Sequence, residues 1–279
     1  LHSLRRRQRQ MCIRDSLDML QELVTKFNNA RTTDQQRALN DIINYITDDM
    51  RQVLLAPHKR MDIVDGDLRS DGKASVKVDD NPQGIEMLDM ELPVHRLTPG
   101  VEDKEHFVKY IMDQIVELRT KFGMFVSMEM SRKTFINSIV GSKDFGEFYK
   151  QSFAQKEVQL SSGLMSSEMA TTIFQGLGLP PIVINEDLVE LPDGTMKQVF
   201  KDNRISLFTT AKQGKMRWHT PYEITDPVPG KTYSRSDGGM YISNVRTDEG
   251  RFMEYGCEWI PEYTNPNKIV IVDLDTMLG

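Results

Sequence analysis

The hydrophobic pattern is strongest near the start of the chain. Between Thr33 and Ala56 the apolar residues Leu39, Ile42, Ile43, Ile46, Met50, Val53 and Leu54 recur in steps of three and four, which places them on one side of a 3.6-residue helix. Thr33 with Gln36 is a capping-box pattern, and Asp34 adds negative charge at the positive end of the helix dipole. Pro57 is expected to stop this helix, because it lacks an N–H and disfavours helical dihedrals at Ala56. A second amphipathic stretch, Leu17, Leu20, Leu23, Val24 and Phe27, precedes it across the polar link Asn28–Arg31. Run together, the two would make a strut of roughly 60 Å.

After Pro57 the periodicity loosens. Short alternating pieces, Ala74-Val76-Val78 and Ile85-Met87, lie among Gly66, Gly72 and Asn81-Pro82 and predict a hairpin or flap. Leu92 to Gly100 reads as a linker. A second helix follows, with Asp103 as N-cap, Phe107, Ile111, Ile115, Leu118 and Phe122 as its buried stripe, and Gly123 just past its end. Next come a strand at Met124–Met128, a short helix from Ser131 to near Ile139, and a helix over Ser166–Gln175. Strands are predicted at Ile182–Ile184 and Ile205–Phe208, with a turn between strands at Leu191–Thr195. Gly214 to Gly250 reads as loops on a small sheet, and Ile269–Leu274 as a closing strand. Helices and strands mix irregularly, which predicts an α+β fold rather than a doubly wound sheet.

Composition changes this picture little. The chain has 279 residues, 39% hydrophobic and 27% charged, the range of a soluble globular protein. No apolar run approaches the ~20 residues of a membrane helix. Residues 1–16 stand apart. They hold five arginines and one aspartate, without periodicity or an apolar core for a secretory signal. A basic nucleic-acid arm is one reading. The favoured one is a non-native segment, the translated adapter read-through found at the ends of metagenomic gene fragments, with the true N-terminus missing. Without it the chain would carry about −10 rather than −6, an unpromising balance for phosphate binding. Cys12 and Cys257 make no disulfide framework.

The search for chemistry returns one motif of interest. The five histidines His2, His58, His95, His106 and His219 are scattered, and no metal-ligand spacing, P-loop or nucleophile elbow is present. Asp62, Asp65, Asp67 and Asp71 invite a calcium reading, but an EF-hand register from Asp67 puts Arg69 and Val78 at ligand positions, so a solvated turn is expected. The methionines, Met124, Met128, Met130, Met165 and Met169 among them, read first as core packing. The exception is Ile269-Val270-Ile271-Val272-Asp273-Leu274-Asp275-Thr276, which resembles the first motif of haloacid-dehalogenase-type phosphohydrolases. That resemblance implies Asp273 as nucleophile and Asp275 as acid/base, with magnesium. The following Thr276-Met277 departs from the family's Gly-Thr, and the α/β domain the family needs downstream does not follow. A buried terminal strand with two exposed acids is the alternative.

The order of elements resembles another family along Leu17 to the end: the major capsid proteins of tailed bacteriophages, with the Hong Kong 97-type fold, and among them the lambda-type group. The likeness is carried by the long helix Leu17–Ala56 and the glycine-punctuated flap Asp65-Gly66 to Asp71-Gly72-Lys73-Ala74. It continues through Leu92-Pro93-Val94, the helix Asp103–Phe122 and the segment Phe125–Met128 with Ser131–Asn137. Asn203–Phe208 with Thr220–Glu223, and Trp259–Glu262 with Pro266–Ile271, complete it. The resemblance implies a spine helix packed on a β-sheet, residues 17–99 with 246–279 as a peripheral domain, and an inserted α/β axial domain at 100–245. It implies a non-enzymatic shell subunit forming pentamers and hexamers around DNA without sequence-specific binding. Scaffold, portal and head-decoration proteins would be its further partners. Its place would be the virion, after assembly in the host cytoplasm. No catalytic, cofactor-binding or metal-binding residue is assigned, and the family's N-terminal arm and loop would precede the spine helix.

Overall fold

The structure is a computed structural model that describes residues 22–29, 32–77, 87–153, 167–191, 194–235, 237–247 and 250–279. Residues 1–16, with the arginine run, and Leu17 and Leu20 lie outside the described residues.

Residues 22–29 are helical (α1), and α2 runs over Thr32–Asp71. The 40 residues of α2 contain about 60 Å of helix at 1.5 Å each, so α2 alone supplies the length expected of the two stretches together. The link at residues 30 and 31, on which continuity of the two stretches depends, lies outside the described residues.

Pro57 does not end α2. Beyond it Met61, Val64 and Leu68 repeat at helical spacing and are buried, and their burial outweighs the one backbone hydrogen bond the proline removes. The residues read as the start of a flap, Asp65-Gly66, are therefore helical. The helix stops at Gly72, whose φ of 68° suits glycine and whose N–H donates to the Leu68 carbonyl at 2.8 Å. The predicted hairpin follows: β1 (Lys73–Lys77) pairs antiparallel with β2 (Met87–Glu91).

The stretch read as a linker carries β3 (His95–Leu97). A 3₁₀ turn, Val101–His106, leads into α3 (Phe107–Phe122). Asp103 does not cap α3. Its carboxylate instead accepts from the Gly100 N–H at 2.8 Å, closing the 3₁₀ turn. The first turn of α3 is served by Asp144, which accepts from the Lys109 N–H at 2.8 Å. Strand β4 spans Ser127–Met130, slightly later than predicted. Ser131 caps the short α4 (Arg132–Thr134), which passes into a π-helical stretch, Phe135–Val140. Helices α5 (Lys143–Phe153) and α6 (Ser167–Gly176) follow.

Strands β5 (Ile182–Ile184), β6 (Leu188–Glu190), β7 (Met196–Gln198), β8 (Arg204–Phe208) and β9 (Gly214–His219) come next. The chain then forms α7 (Tyr222–Thr225), β10 (Lys231–Arg235), β11 (Tyr241–Thr247), β12 (Gly250–Gly256), β13 (Glu258–Tyr263), β14 (Val270–Asp273) and α8 (Asp275–Leu278). The region read as loops on a small sheet is richer in strand than predicted.

By internal contacts the chain divides into two compact units, one of 1–61, 78–84 and 216–260, the other of 62–77, 85–215 and 261–279. The first contains a three-stranded antiparallel sheet, β10-β11-β12. In it the Trp259 indole donates to the Gly238 carbonyl at 2.7 Å and lies 4.8 Å from the His58 ring.

The second unit is built on a five-stranded mixed sheet ordered β3-β14-β8-β4-β5. Strand alternation sorts its two faces. Met128, Met130, Ile205, Leu207, Val270 and Val272 enter the main core with Phe107, Ile111, Ile115, Phe135, Phe145 and Phe174. The intervening Glu129, Ser206 and Ile271 belong to the opposite face. There Ser206 donates its hydroxyl to the Arg69 carbonyl of α2 at 2.6 Å, and the Arg69 guanidinium meets Glu129 at 3.0 Å. Asn185 donates to the other Glu129 oxygen at 2.9 Å, so this buried carboxylate is paired and hydrogen-bonded. The closing strand β14 thus returns to a sheet on which the end of the long helix packs.

Candidate functional site

The two acids of the phosphohydrolase-like motif meet at one guanidinium. Arg204, at the start of β8, contacts Asp273 at 2.8 Å and Asp275 at 2.7 Å. Its Nε also lies 3.5 Å from Asp71 at the end of α2. Asp71 is further held by Lys201 at 3.1 Å and Arg96 at 3.2 Å, and Asp67 by Lys197 at 3.3 Å. The Asp275 N–H donates to Asp273 at 3.1 Å, and Asn203 donates to Asp275 at 3.2 Å.

Burial pushes the Asp71 carboxyl up, but hydrogen bonds from Lys201 and Arg96 and the charge of Arg204 outweigh it and hold the group below its ordinary pKa. The Arg204 hydrogen bond lowers Asp275 as well. Burial lowers Arg204, and its three carboxylate partners more than restore it.

This arrangement does not fit magnesium-dependent phosphoryl chemistry. Arg204 occupies the point at which the carboxylates converge, where that chemistry requires the metal. Asp273 is already engaged by a guanidinium and a backbone N–H. Strand β14 is also antiparallel to β8. The expectation of two exposed acids holds for Asp275 and not for Asp273, which is half-buried. The acidic run earlier in the chain is likewise a helix face, not a solvated turn. Asp65 meets Arg69 at 2.9 Å and accepts the Tyr263 hydroxyl, while Asp67 and Asp71 enter the cluster around Arg204. Apart from the i,i+4 pair of Asp65 with Arg69, the side chains that hold these acids lie 25 or more positions away in the chain, so single-sequence spacing carried no signal for them.

Apolar side chains are also exposed. On the helices of the first unit these include Val24, Leu39, Ile43 and Leu55. Leu23 and Phe27, on the same helix as Val24, are half-buried. In the second unit Val116, Met124, Leu188 and Met196 stand out. Met128 and Met130 are core residues as expected, and Met124 is not. Among the described residues no group of His, Cys, Asp and Glu could hold a metal ion, and no helix is long and apolar enough to cross a membrane.

No protein-family model matches the chain, and no curated protein does. Solved structures do. The crystal structure titled "putative capsid protein of prophage", from E. coli CFT073, aligns with a TM-score of 0.55 at 16% identity, over 88% of this chain and 71% of that one. The chain has a phage capsid-like fold. It mixes helices and several sheets, with helix packed on sheet, as that fold does. A phage-related protein of Bordetella bronchiseptica RB50 aligns more loosely, with a TM-score of 0.37 at 11% identity, over 66% of this chain and 57% of that one.

Proposed function

We propose that the chain is a structural subunit of a tailed-phage icosahedral head. The observation that carries this reading is the capsid-like fold extending over 88% of the chain. The Arg204 guanidinium seated between Asp273 and Asp275 supports this reading over the phosphohydrolase alternative. The subunit would act by geometry. Repeated heterologous contacts close into rings of five and six and extend into a shell. The net charge of −6 suits a wall that encloses DNA without trapping it. Scaffold, portal and decoration proteins are the partners of such a shell, the virion is its place, and the host cytoplasm is where it assembles.

Expression of the chain in bacterial cytoplasm, followed by negative-stain electron microscopy of the lysate, tests this. Rings with five- or six-fold symmetry, or closed shells, are expected. Protein that sediments only as a monomer at every concentration would count against it. The neighbouring genes give a second test. Terminase, portal and protease genes beside this one are expected, and a metabolic operon would speak against a head subunit.

A further inference from the structure

Two exposed apolar patches lie at opposite ends of the β4–β5 strand pair. The strands are parallel, with Met128 opposite Ile182 and Met130 opposite Ile184. Met124 and Val126 precede β4, and the Val126 N–H donates to the Phe208 carbonyl at 2.8 Å, which fixes them at the N-terminal end. Glu186 is bonded to Arg132 at 2.6 Å, just past the C-terminal end of β4, and so places Leu188 beyond that end.

The C-terminal patch is built on the β6–β7 ribbon. Its register pairs Leu188 with Gln198 and Glu190 with Met196. Leu188 and Met196 therefore share one face of the ribbon, while the other carries buried Val189 and the Lys197 that reaches Asp67 on α2. The ribbon is anchored on one side and presents its apolar pair on the other, with Leu188 57% and Met196 59% exposed. Exposed Glu190 shares that face, directly opposite Met196, and exposed Asp187 precedes Leu188 in the chain. At the other end Met124 is 67% exposed beside exposed Lys121, and the Arg119 guanidinium lies against the Gly178 carbonyl.

We infer that the Leu188/Met196 face of one copy docks on the Met124/Val126 end of the next copy, head to tail. Each patch is apolar with a charged surround, acidic at one end and basic at the other. The complementarity is between different surfaces, so the contact is heterologous and each copy keeps one free surface until a ring closes. The inference rests on the subunit reading above and assigns it a specific contact.

Variants of the full chain test it. One carries Leu188→Asp with Met196→Asp, the other Met124→Asp with Lys121→Glu. All four side chains are exposed, and circular dichroism checks the fold of each variant. In sedimentation velocity the unaltered chain is expected to form species larger than a dimer, and each variant alone to self-associate at least ten-fold more weakly. An equimolar mixture should give a 1:1 dimer and nothing larger, because each partner retains one complementary surface. Mixed Leu188→Cys and Met124→Cys chains, with Cys12 and Cys257 replaced by serine, should form an interchain disulfide under mild oxidation. A variant that keeps the parental distribution, a mixture that stays monomeric, or cysteine pairs that do not cross-link each overturns the contact. If shells or rings still form in the lysate of both variants, the contact is wrong and the head-subunit reading stands. If the unaltered chain neither associates nor forms particles, both fall.

Discussion

Gly66 of α2 lies against the carbonyl of Val199. A Cβ built on Gly66 would sit 2.2 Å from that oxygen and 2.4 Å from the Val199 Cγ1. The obstacle is backbone, which cannot rotate away as the end of a side chain can. This close approach lets the last turns of the helix lie where Ser206 and Glu129 reach Arg69.

Gly66→Ala is therefore expected to destabilise the protein, although it improves helix propensity. Alanine gains about 1 kcal/mol over glycine in a helix interior. Overpacking against fixed atoms costs about 1–3 kcal/mol, and here the helix must shift away from its polar contacts too. A net loss of about 2 kcal/mol in urea denaturation is expected. A neutral or stabilised variant would show that α2 does not rest on Val199.

The cluster at Arg204 predicts an acid-labile tether. Asp71 and Asp275 are both held below their ordinary pKa, so the folded state binds fewer protons there than the unfolded state near pH 4. Their contribution is present above the unfolded value of about 3.9 and is lost as pH falls through the lower folded values. Asp71→Asn should lower stability at pH 7 and flatten the loss between roughly pH 5 and 2. Asp275 is more exposed, so Asp275→Asn should cost less, about 0.5 kcal/mol at pH 7. Equal effects of the two, or an unchanged acid limb in Asp71→Asn, would contradict the assigned pairing.

The Tyr263 hydroxyl is bonded to the Asp65 carboxylate and also faces the Asp65 carbonyl at 3.2 Å. Burial first, and then the Asp65 charge and hydrogen bond, push its pKa far above the ordinary phenol value. A raised pKa means the bond contributes fully below the unfolded value of about 10 and fades only as pH rises toward the folded value. Tyr263→Phe should cost about 1 kcal/mol at pH 7. In ultraviolet titration of the folded protein the parental chain should hold one phenol protonated well beyond the pH at which the others ionise, and that late phenol should be missing in the variant. A Tyr263 that titrates normally would dissociate it from Asp65.

These contacts show what could be read from the residues in order. The buried stripe of α3, the Ser131 cap, the Gly123 stop and the closing strand were legible because each depends on neighbours within about five positions. The continuation of α2 past Pro57 was not, since it depends on Met61, Val64 and Leu68 finding a core supplied by distant segments. The roles of Asp67 and Asp71 were hidden for the same reason. Lys197, Lys201 and Arg204, which hold them, lie about 130 positions on, and the Tyr263 that bonds Asp65 lies further still. The motif at Asp273 and Asp275 was visible but misleading. A hydrophobic strand ending in two acids describes any strand that emerges beside a basic side chain, and only the position of Arg204 separates the two cases.

Pro57 gives the last prediction. It sits inside α2, with helix on both sides, so the Val53 carbonyl lacks its usual N–H partner and the ring crowds that turn. Replacing it by alanine restores the donor and removes the crowding, a gain of up to about 3 kcal/mol in a helix interior. Against this, proline restricts the unfolded chain, an advantage of about 0.4–1 kcal/mol that alanine forfeits. The balance favours alanine, and Pro57→Ala is expected to raise stability by about 1–2 kcal/mol and to increase the helical signal in circular dichroism. If the variant is instead less stable, the restriction proline places on the unfolded chain outweighs the hydrogen bond it removes from α2.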